Sequence, residues 1–332
     1  MEKKPVLVIG AGSWGTALAL VLARNNHQVK LWDISEEHIA NLRESGSNER
    51  YLPGVALPEN LLPIIDPAQF EGQQSIVLAM PCVGLKAALA LIEEHTSPAH
   101  RQICLACKGF EPGSNSLNTD VVEEQLGTDS IAVLSGPSFA VEVADGLPTA
   151  ITLASKNIKT AEHFSSLFHS EVFRTYTHDD VIGVQVGGAV KNVIAIAAGI
   201  ADGLGYGANT RCALISRSLA EIMRLGMAMG GRQETFMGLA GLGDLILTCT
   251  DDKSRNRRFG LALASGQDID RAKQEIGQAI EGAVTTAIVF ELAKKYGIEM
   301  PITEQVNYVL RSECSPHQAV QKLLARDPKA EM

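Results

Sequence analysis

A glycine-rich loop near the N-terminus constrains this chain more than any other feature. The segment Gly10–Gly15, with the sequence GAGSWG, fits the pattern G-x-G-x-x-G between an apolar strand pattern and an Ala/Leu-rich helix pattern. Asp33 ends the next strand pattern, near the interval of roughly 20 residues at which this fingerprint places an acidic residue. In this context a dinucleotide-binding unit is favoured over a glycine turn without a ligand. The three glycines allow a tight turn, approach of a pyrophosphate and close packing of helix on strand.

Strand and helix patterns alternate through the first half of the chain. The strand patterns are Pro5–Ile9, Gln28–Trp32, Ser75–Ala79, Gln102–Ala106 and Ile131–Leu134, with helix patterns at Thr16–Arg24, Glu36–Glu44 and Asn157–Phe168. This alternation predicts a parallel sheet with helices on both faces.

The second half is mostly helical in its periodicity. Its helix patterns are Val181–Ala201, Arg211–Met229, Gly260–Ala264, Ala283–Lys295 and Ile302–Leu310. We therefore predict an α/β chain in which a Rossmann-type dinucleotide-binding domain spans residues 1–179. An all-helical substrate and catalytic domain follows at residues 180–332. A length of 332 residues agrees with two domains, because single cores stop growing near roughly 250–300 residues.

Charge and cysteine content exclude several classes of protein. The net charge of -9 argues against general nucleic-acid binding, which needs a basic face. Six cysteines in a long chain do not make a disulfide scaffold, so a reducing cytoplasm is expected. Cys104 and Cys107 form a C-x-x-C pair inside a strand pattern, where positions three apart face opposite sides. No second Cys/His pair follows at ligand spacing and no H-E-x-x-H pattern occurs, so buried thiols and no metal are expected.

Two apolar stretches resemble segments that enter membranes. Lys3 and Lys4 precede an apolar stretch, as in a signal peptide, but the glycine loop interrupts it and a second strand pattern follows. The apolar run Val181–Ala201 contains Lys191, and a charge at a bilayer centre is costly. We expect a buried helix there and no membrane insertion.

Further segments are more specific than a generic dinucleotide fold. They are Lys108–Phe110 (KGF), Gly136–Ala140 (GPSFA), Val190–Ala195 (VKNVIA), Gly238–Leu245 (GLAGLGDL), Thr248–Thr250 (TCT) and Ser254–Arg258 (SRNRR). With the glycine loop, this series resembles the soluble bacterial NAD(P)-dependent glycerol-3-phosphate dehydrogenases, from the first strand to about Gly282. The pairing of the GLGD and SRN segments is its most specific part.

The resemblance implies an activity and a set of site residues. The activity is reversible hydride transfer between NAD(P)H and dihydroxyacetone phosphate, giving sn-glycerol 3-phosphate for glycerophospholipid synthesis. Lys191 would be the catalytic residue. The substrate would be bound by Lys108, Gly136, Ser138, Lys191, Asp244, Ser254, Arg255 and Asn256. The cofactor would contact Gly10, Gly12, Ser13, Trp14, Gly15, Asp33, Lys108, Ala140, Arg255, Ala279 and Glu281.

These residue types suit the expected chemistry. Lys191 can give a proton to a developing alkoxide if burial and a second cation such as Lys108 lower its pKa from about 10.4, and Asp244 can hold the ammonium in place. Arg255 can grip two phosphate oxygens, with neutral donors from Ser254 and Asn256 and backbone N–H groups of a helix expected over residues 257–264. The simpler alternatives are an ion-paired lysine, glycines that merely allow close packing, and a basic run that forms a solvated face.

Two features depart from the family pattern. The family often carries a basic residue near the end of the second strand, where this chain has Asp33; a carboxylate there favours NAD and leaves the choice between NAD and NADP open. Asp251 and Asp252 precede the SRN segment, where the family pattern leads us to expect fewer acidic residues. We expect these two to cap the following helix.

Two other functions remain open from the residues alone. A sister dehydrogenase for a hydroxy acid or a ketopantoate-like substrate shares the fold and a helix-borne lysine, but does not require the phosphate grip of the SRN segment. A dinucleotide sensor would bind NAD(H) without turnover. The apolar helices of the second domain make a homodimer the expected assembly.

Overall fold

The computed structural model describes residues 4–327. Lys3 of the signal-like stretch, and residues 328–332 at the end of the predicted second domain, lie outside this range. The chain divides into two compact units, of which the first ends at Gln185 and the second begins at Val186. The boundary between residues 179 and 180 stays a prediction.

An eight-stranded sheet forms the first unit, in the order β10-β9-β8-β7-β6-β1-β2-β5. The strands are β1 (Pro5–Ile9), β2 (Gln28–Trp32), β3 (Ser47–Asn48), β4 (Leu52–Ala56), β5 (Leu61–Ile64), β6 (Ser75–Leu78), β7 (Gln102–Leu105), β8 (Ile131–Ser135), β9 (Thr149–Ala154) and β10 (Phe173–His178). The short β3 and β4 pair antiparallel in a separate sheet. Strands β6 and β8 are buried along their whole length, as expected where helices cover a parallel sheet.

Helices connect these strands. They are α1 (Ser13–Arg24), α2 (Glu36–Ser45), α3 (Leu85–His95), α4 (Asn118–Leu126), α5 (Ala140–Ala144) and α6 (Ile158–Phe168), with 3₁₀ turns at Pro67–Phe70 and Cys82–Gly84. Helix α1 packs against α5 and α6, and α3 packs against α4. Helix α7 (Val181–Gly203) leads into the second unit.

Between residues 186 and 327 every regular element is helical. These are α8 (Ala208–Ala228), α9 (Gln233–Phe236), α10 (Asp244–Thr250), α11 (Arg255–Ala264), α12 (Ile269–Ile276), α13 (Glu281–Tyr296), α14 (Pro301–Leu310) and α15 (Pro316–Leu324), with a π-helical turn at Leu239–Gly243. The predicted fold class, a Rossmann-type sheet domain followed by a helical domain, is confirmed.

The sheet is parallel except at one pair. Strands β8 and β9 run antiparallel, whereas β9 and β10 are parallel. The connection from β8 to β9 contains only the five-residue helix α5, so the chain turns back beside β8 instead of crossing over. Strands β9 and β10 were not predicted.

Helix α7 is long and apolar enough to cross a membrane by length and composition alone. However, 94% of its most apolar window is buried inside the protein. The interpretation of this run as a buried helix is confirmed.

Candidate active site

The glycine loop has the geometry of an anion cradle at the start of α1. Gly10 has φ +106°, and a Cβ atom there would lie 2.7 Å from the backbone nitrogen of Met80. A Cβ atom on Gly15 would lie 1.8 Å from the carbonyl oxygen of Gly10, whereas one on Gly12 would meet nothing within 4 Å. Gly12 is the N-cap of α1 and provides no side-chain cap. Open space beside uncapped helix N–H groups fits the pyrophosphate of a dinucleotide.

Asp33 is fixed by the same loop. Its carboxylate accepts hydrogen bonds from the backbone nitrogens of Ala11 at 2.8 Å and Ser35 at 3.1 Å. Trp14 Nε1 donates to the carbonyl oxygen of Ala106 at 3.2 Å. Asp33, at the carboxyl end of β2, therefore lies directly beside the loop that follows β1.

Two residues that clamp the loop were missed by sequence reasoning. Asn48 Nδ2 donates to the carbonyl oxygen of Ala11 at 2.9 Å and to Thr16 Oγ1 at 2.7 Å. His38 Nε2 lies 3.0 Å from the same carbonyl oxygen. Both side chains are buried, but nothing in the local sequence distinguishes a buried Asn or His from an exposed one.

Lys108, Gly136 and Ser138 come together at the ends of β7 and β8. Lys108 Nζ donates to the carbonyl oxygen of Gly136 at 3.0 Å, and Ser138 Oγ donates to the same oxygen at 3.2 Å. Gly136 has φ +149°, and a Cβ atom there would lie 3.0 Å from Ile151 Cα. Ala140 begins α5 just beyond this loop.

A buried ion pair links α7 to α10. Lys191 Nζ lies 2.5 Å from Asp244 Oδ1 and 2.8 Å from Thr248 Oγ1. Lys191 is 7% exposed and Asp244 1% exposed. Thr248 Oγ1 also donates to the Asp244 carbonyl oxygen at 2.6 Å. Thr248 belongs to the TCT segment but was not predicted as a site residue; its spacing of four from Asp244, on one helical face, was the available signal.

The SRN segment begins α11. Ser254 is the N-cap and accepts a hydrogen bond from the backbone nitrogen of Arg257 at 3.2 Å. The prediction that Asp251 or Asp252 caps this helix is wrong. Asp251 instead accepts from the backbone nitrogen of Lys253, and Asp252 pairs with Arg257.

Arg255 stands near the start of α13. Its Nη1 donates to Gln278 Oε1 at 3.1 Å. Burial lowers the pKa of the Arg255 guanidinium, and the charge of Glu281, the first residue of α13, acts against that shift. Ala279 is exposed in the same short loop between Gln278 and α13. Arg255 is half-buried, and a cation partly withdrawn from water favours an anionic ligand.

The interpretation of Arg257 as part of a solvated face is wrong. Arg257 is 7% exposed, and its Nη2 lies 2.6 Å from Asp202 Oδ2 near the end of α7. The same carboxylate oxygen accepts from Arg211 Nη1 at 2.8 Å. Arg258 is exposed.

Both the nitrogen and the oxygen of the Asn256 side-chain amide make hydrogen bonds. Its Nδ2 donates to Asn192 Oδ1 at 2.9 Å, and its Oδ1 accepts from the backbone nitrogen of Gly282 at 2.9 Å. Asn192, which follows Lys191 on α7, was not predicted as a site residue. The amide pair ties α7, α11 and α13 together.

The arrangement of the thiols and acidic groups bears on whether the chain has a metal site. Within residues 4–327 no three His, Cys, Asp or Glu side chains are grouped to hold a metal ion. Cys104 is fully buried, and burial raises the pKa of its thiol. This agrees with the interpretation of Cys104 as a core thiol.

A dinucleotide cradle on a Rossmann-type sheet and a buried lysine–aspartate pair in a helical unit define a class, the nicotinamide-dependent dehydrogenases. Two family models match the chain. Residues 5–161 match the NAD-dependent glycerol-3-phosphate dehydrogenase N-terminus, and residues 180–321 match the C-terminus. The chain belongs to the NAD-dependent glycerol-3-phosphate dehydrogenase family. This confirms the resemblance drawn from the sequence.

Individual relatives agree with the family. The glycerol-3-phosphate dehydrogenase [NAD(P)+] of Nitrosococcus oceani is 50% identical, covering 99% of this chain and 96% of its own. A crystal structure of glycerol-3-phosphate dehydrogenase from Coxiella burnetii matches with a TM-score of 0.94 at 47% identity, covering 98% of this chain and 99% of its own. A ketopantoate reductase from Ralstonia eutropha matches with a TM-score of 0.61 at 15% identity, covering 95% and 99% of the two chains, and shares the fold alone.

Proposed function

We propose that this chain catalyses reversible hydride transfer between NAD(P)H and dihydroxyacetone phosphate, giving sn-glycerol 3-phosphate for glycerophospholipid synthesis in the cytoplasm. The observation that carries the proposal is the buried Lys191–Asp244 pair, at 2.5 Å, in a chain 50% identical over nearly its whole length to a glycerol-3-phosphate dehydrogenase. Neither a metal nor a further prosthetic group is part of it.

The first unit supplies most of the proposed cofactor site. The backbone of Gly10, Gly12 and Gly15 and the N-terminus of α1 receive the pyrophosphate, with Ser13 and Trp14 in the same loop. Asp33 binds the ribose hydroxyls. When bound, the nicotinamide supplies or accepts the hydride. The family roles add further proposed cofactor contacts from Lys108, Ala140, Arg255, Ala279 and Glu281.

Lys191 is the proposed donor and acceptor of the proton. In the direction of reduction its Nζ gives a proton to the oxygen that develops on C2 of the substrate, and in oxidation it accepts that proton. Asp244 Oδ1 and Thr248 Oγ1 fix two directions around the ammonium. The ammonium has three N–H donors, and we assign one of them to the substrate oxygen. Burial of the pair excludes water that would compete for the same proton.

Arg255 is the proposed principal ligand of the substrate phosphate. Its guanidinium has five N–H donors, so the bond to Gln278 leaves a planar fork for two phosphate oxygens. The Ser254 oxygen accepts from the backbone, but its hydroxyl hydrogen remains a donor. Asn256 keeps one N–H beyond its bond to Asn192. Lys108, Gly136 and Ser138 complete the proposed substrate set.

Two broader assignments belong to the same proposal. Residues 1–179 form the dinucleotide-binding domain and residues 180–332 the substrate and catalytic domain. The enzyme is a homodimer, which light scattering of the purified protein tests directly: a monomeric mass at working concentration contradicts it.

The testing experiment measures oxidation of NADH and of NADPH with dihydroxyacetone phosphate. The variant is Arg255→Ala, and the matched control is Arg258→Ala, which removes an exposed guanidinium from the same helix. We expect turnover by the wild type, and a KM for dihydroxyacetone phosphate raised roughly 10- to 100-fold in Arg255→Ala, the range for lost hydrogen bonds to a charged group. Arg258→Ala should match the wild type.

The same assay separates the alternatives. Ketopantoate and small 2-keto acids are offered in parallel. Oxidation with these and not with dihydroxyacetone phosphate would replace the proposal by a hydroxy-acid dehydrogenase. NADH binding without turnover of any substrate would indicate a sensor.

A further inference from the structure

The helix that carries Asp244 is preceded by an unusual turn. Leu239–Gly243 forms one turn of π-helix, and α10 begins at the next residue, Asp244. The turn is closed by an i→i+5 hydrogen bond from the Gly243 nitrogen to the Gly238 carbonyl oxygen, at 3.1 Å. Such turns are rare and occur frequently at functional sites. Because a π-turn holds one residue more than an α-turn, it rotates the helical residues that follow it.

Backbone contacts too close for side chains hold this turn in place. A Cβ atom on Gly241 would lie 2.1 Å from the Phe236 carbonyl oxygen. A Cβ atom on Gly187, in α7, would lie 2.8 Å from the Ala240 carbonyl oxygen and 3.4 Å from Gly241 Cα. The fully buried ring of Phe236 is seated on α8, where a Cβ atom on Gly226 would lie 2.0 Å from its Cζ. Helix α7 therefore lies directly against the backbone of the π-turn.

The contact between Gly187 and Ala240 lies close to the Lys191–Asp244 pair. Gly187 precedes Lys191 by four residues on α7, which places the two on one side of the helix, one turn apart. Ala240 precedes Asp244 by four residues in the chain. The Gly187–Ala240 contact and the Lys191–Asp244 pair thus join the same two segments at neighbouring points. The distance between the two backbones at Gly187 sets how closely the Asp244 carboxylate can approach the Lys191 ammonium.

We propose that Gly187 and the π-turn Leu239–Gly243 are positioning elements that set the geometry of the Lys191–Asp244 pair. This inference rests on the proposed function and deepens it, because it assigns a role to residues that touch neither substrate nor cofactor. It also gives the glycines of the GLAGLGDL segment a purpose beyond close packing.

A methyl group at position 187 perturbs this geometry in a defined direction. The Ala240 carbonyl oxygen must move away by several tenths of an ångström, and Asp244 moves with the turn. Misplacement of a reacting group by about 1 Å can cost on the order of 100-fold in rate. About half that displacement gives an expected loss of roughly tenfold in kcat. None of the proposed cofactor contacts lies in α7 or in the π-turn, so binding of NADH should not change.

The primary variant is Gly187→Ala, and the matched control is Gly207→Ala, where a Cβ atom would meet nothing within 4 Å. In the assay with dihydroxyacetone phosphate we expect kcat to fall roughly tenfold in Gly187→Ala, with KM for both substrates within about twofold of the wild type. Gly207→Ala should behave as the wild type. An unchanged kcat, or a loss expressed only in KM, overturns the proposal.

A double-mutant cycle shows whether Gly187 acts through Asp244. Asp244→Asn is combined with Gly187→Ala, and kcat is compared across the four proteins. If the methyl group acts by displacing the carboxylate, it lowers kcat less than about twofold once the carboxylate is gone. A full tenfold loss in the Asp244→Asn background means independent effects and overturns the proposal.

Phe236→Leu is a second variant that tests the role of the π-turn if Gly187→Ala does not fold. It removes atoms that seat the π-turn on α8 instead of adding any, and the same kcat loss and the same coupling to Asp244→Asn are expected. Wild-type kcat in a folded Phe236→Leu protein would count against the role of the turn. Failure of the wild type to use dihydroxyacetone phosphate would refute the proposed function, whereas wild-type turnover with unaffected variants refutes this inference alone.

Discussion

Replacing Glu221 by glutamine should remove a pH-dependent loss of stability in the helical unit. Glu221 lies on α8 and is 1% exposed. Its carboxylate accepts hydrogen bonds from the backbone nitrogens of Ile302 at 2.7 Å and Thr303 at 3.2 Å, at the start of α14. Burial raises the pKa of this carboxyl from 4.5 to about 7, although the hydrogen bonds from Ile302 and Thr303 act in the opposite direction.

The sign and size of the effect follow from that raised pKa. Between pH 4.5 and about 7 the folded protein holds the Glu221 proton while the unfolded chain has lost it. The stabilising contribution is therefore complete below pH 4.5 and is lost as pH rises through about 7. Each tenfold difference in proton affinity between the folded and unfolded chains is worth about 1.4 kcal/mol, so the total loss is about 3 kcal/mol. Roughly 2 kcal/mol of it falls between about pH 5.5 and pH 8.5.

Urea denaturation followed by far-ultraviolet circular dichroism measures this contribution. The free energy of unfolding is determined across that window for the wild type, Glu221→Gln and the control Glu234→Gln, whose carboxylate is exposed. Groups that titrate alike in all three proteins cancel in the differences. The difference between wild type and Glu221→Gln should change by about 2 kcal/mol, whereas Glu234→Gln should track the wild type. A constant difference between wild type and Glu221→Gln refutes the reasoning.

Three further substitutions test other parts of the structure. Gly260→Ala places a Cβ atom 2.1 Å from a carbonyl oxygen of α7, so overpacking should lower stability by about 1–3 kcal/mol; an unchanged melting temperature contradicts this. Gly15→Ala should weaken NADH binding at least about tenfold, because a moved loop misplaces its N–H groups; fluorescence titration measures it, and wild-type affinity refutes it. Thr248→Val removes one hydrogen bond to Lys191, so kcat should fall roughly 5- to 100-fold with KM for NADH unchanged; a wild-type kcat in steady-state assays contradicts the role of the hydroxyl.

The sheet core was predictable where a strand is a bounded apolar run. Strands β1 and β2 have the predicted ends, because a charged or glycine-containing turn closes each run. Strand β10 was missed because its sequence is mostly polar, with half of its residues exposed and only Phe173 fully buried. The place of β10 at the edge of the sheet and the antiparallel pairing of β9 with β8 depend on tertiary packing, which no local sequence pattern records.

The resemblance predicted a set of site residues but not their geometry. The resemblance selected Lys191 and Asp244, yet no local pattern states that residues 53 apart share a hydrogen bond. The burial of Arg257 is a second feature that the local sequence did not predict. A basic run usually forms a solvated face, whereas Arg257 is buried and is paired with Asp202, 55 positions earlier, as well as with Asp252. The π-turn was equally invisible, because its glycine-rich sequence is also typical of a loop.

The bonds of Asp33 bear on any attempt to redesign cofactor preference. A carboxylate at this position would repel a 2′-phosphate by its charge, and the Asp33 carboxylate is also the acceptor for the backbone nitrogens of Ala11 and Ser35. Ala11 is fully buried, so a substitution that removes the acceptor leaves an N–H group without compensation, at a cost of about 1–3 kcal/mol. Raising the preference for the phosphorylated dinucleotide by a substitution at Asp33 is thus a problem of rebuilding the loop's hydrogen bonds as well as of removing one charge.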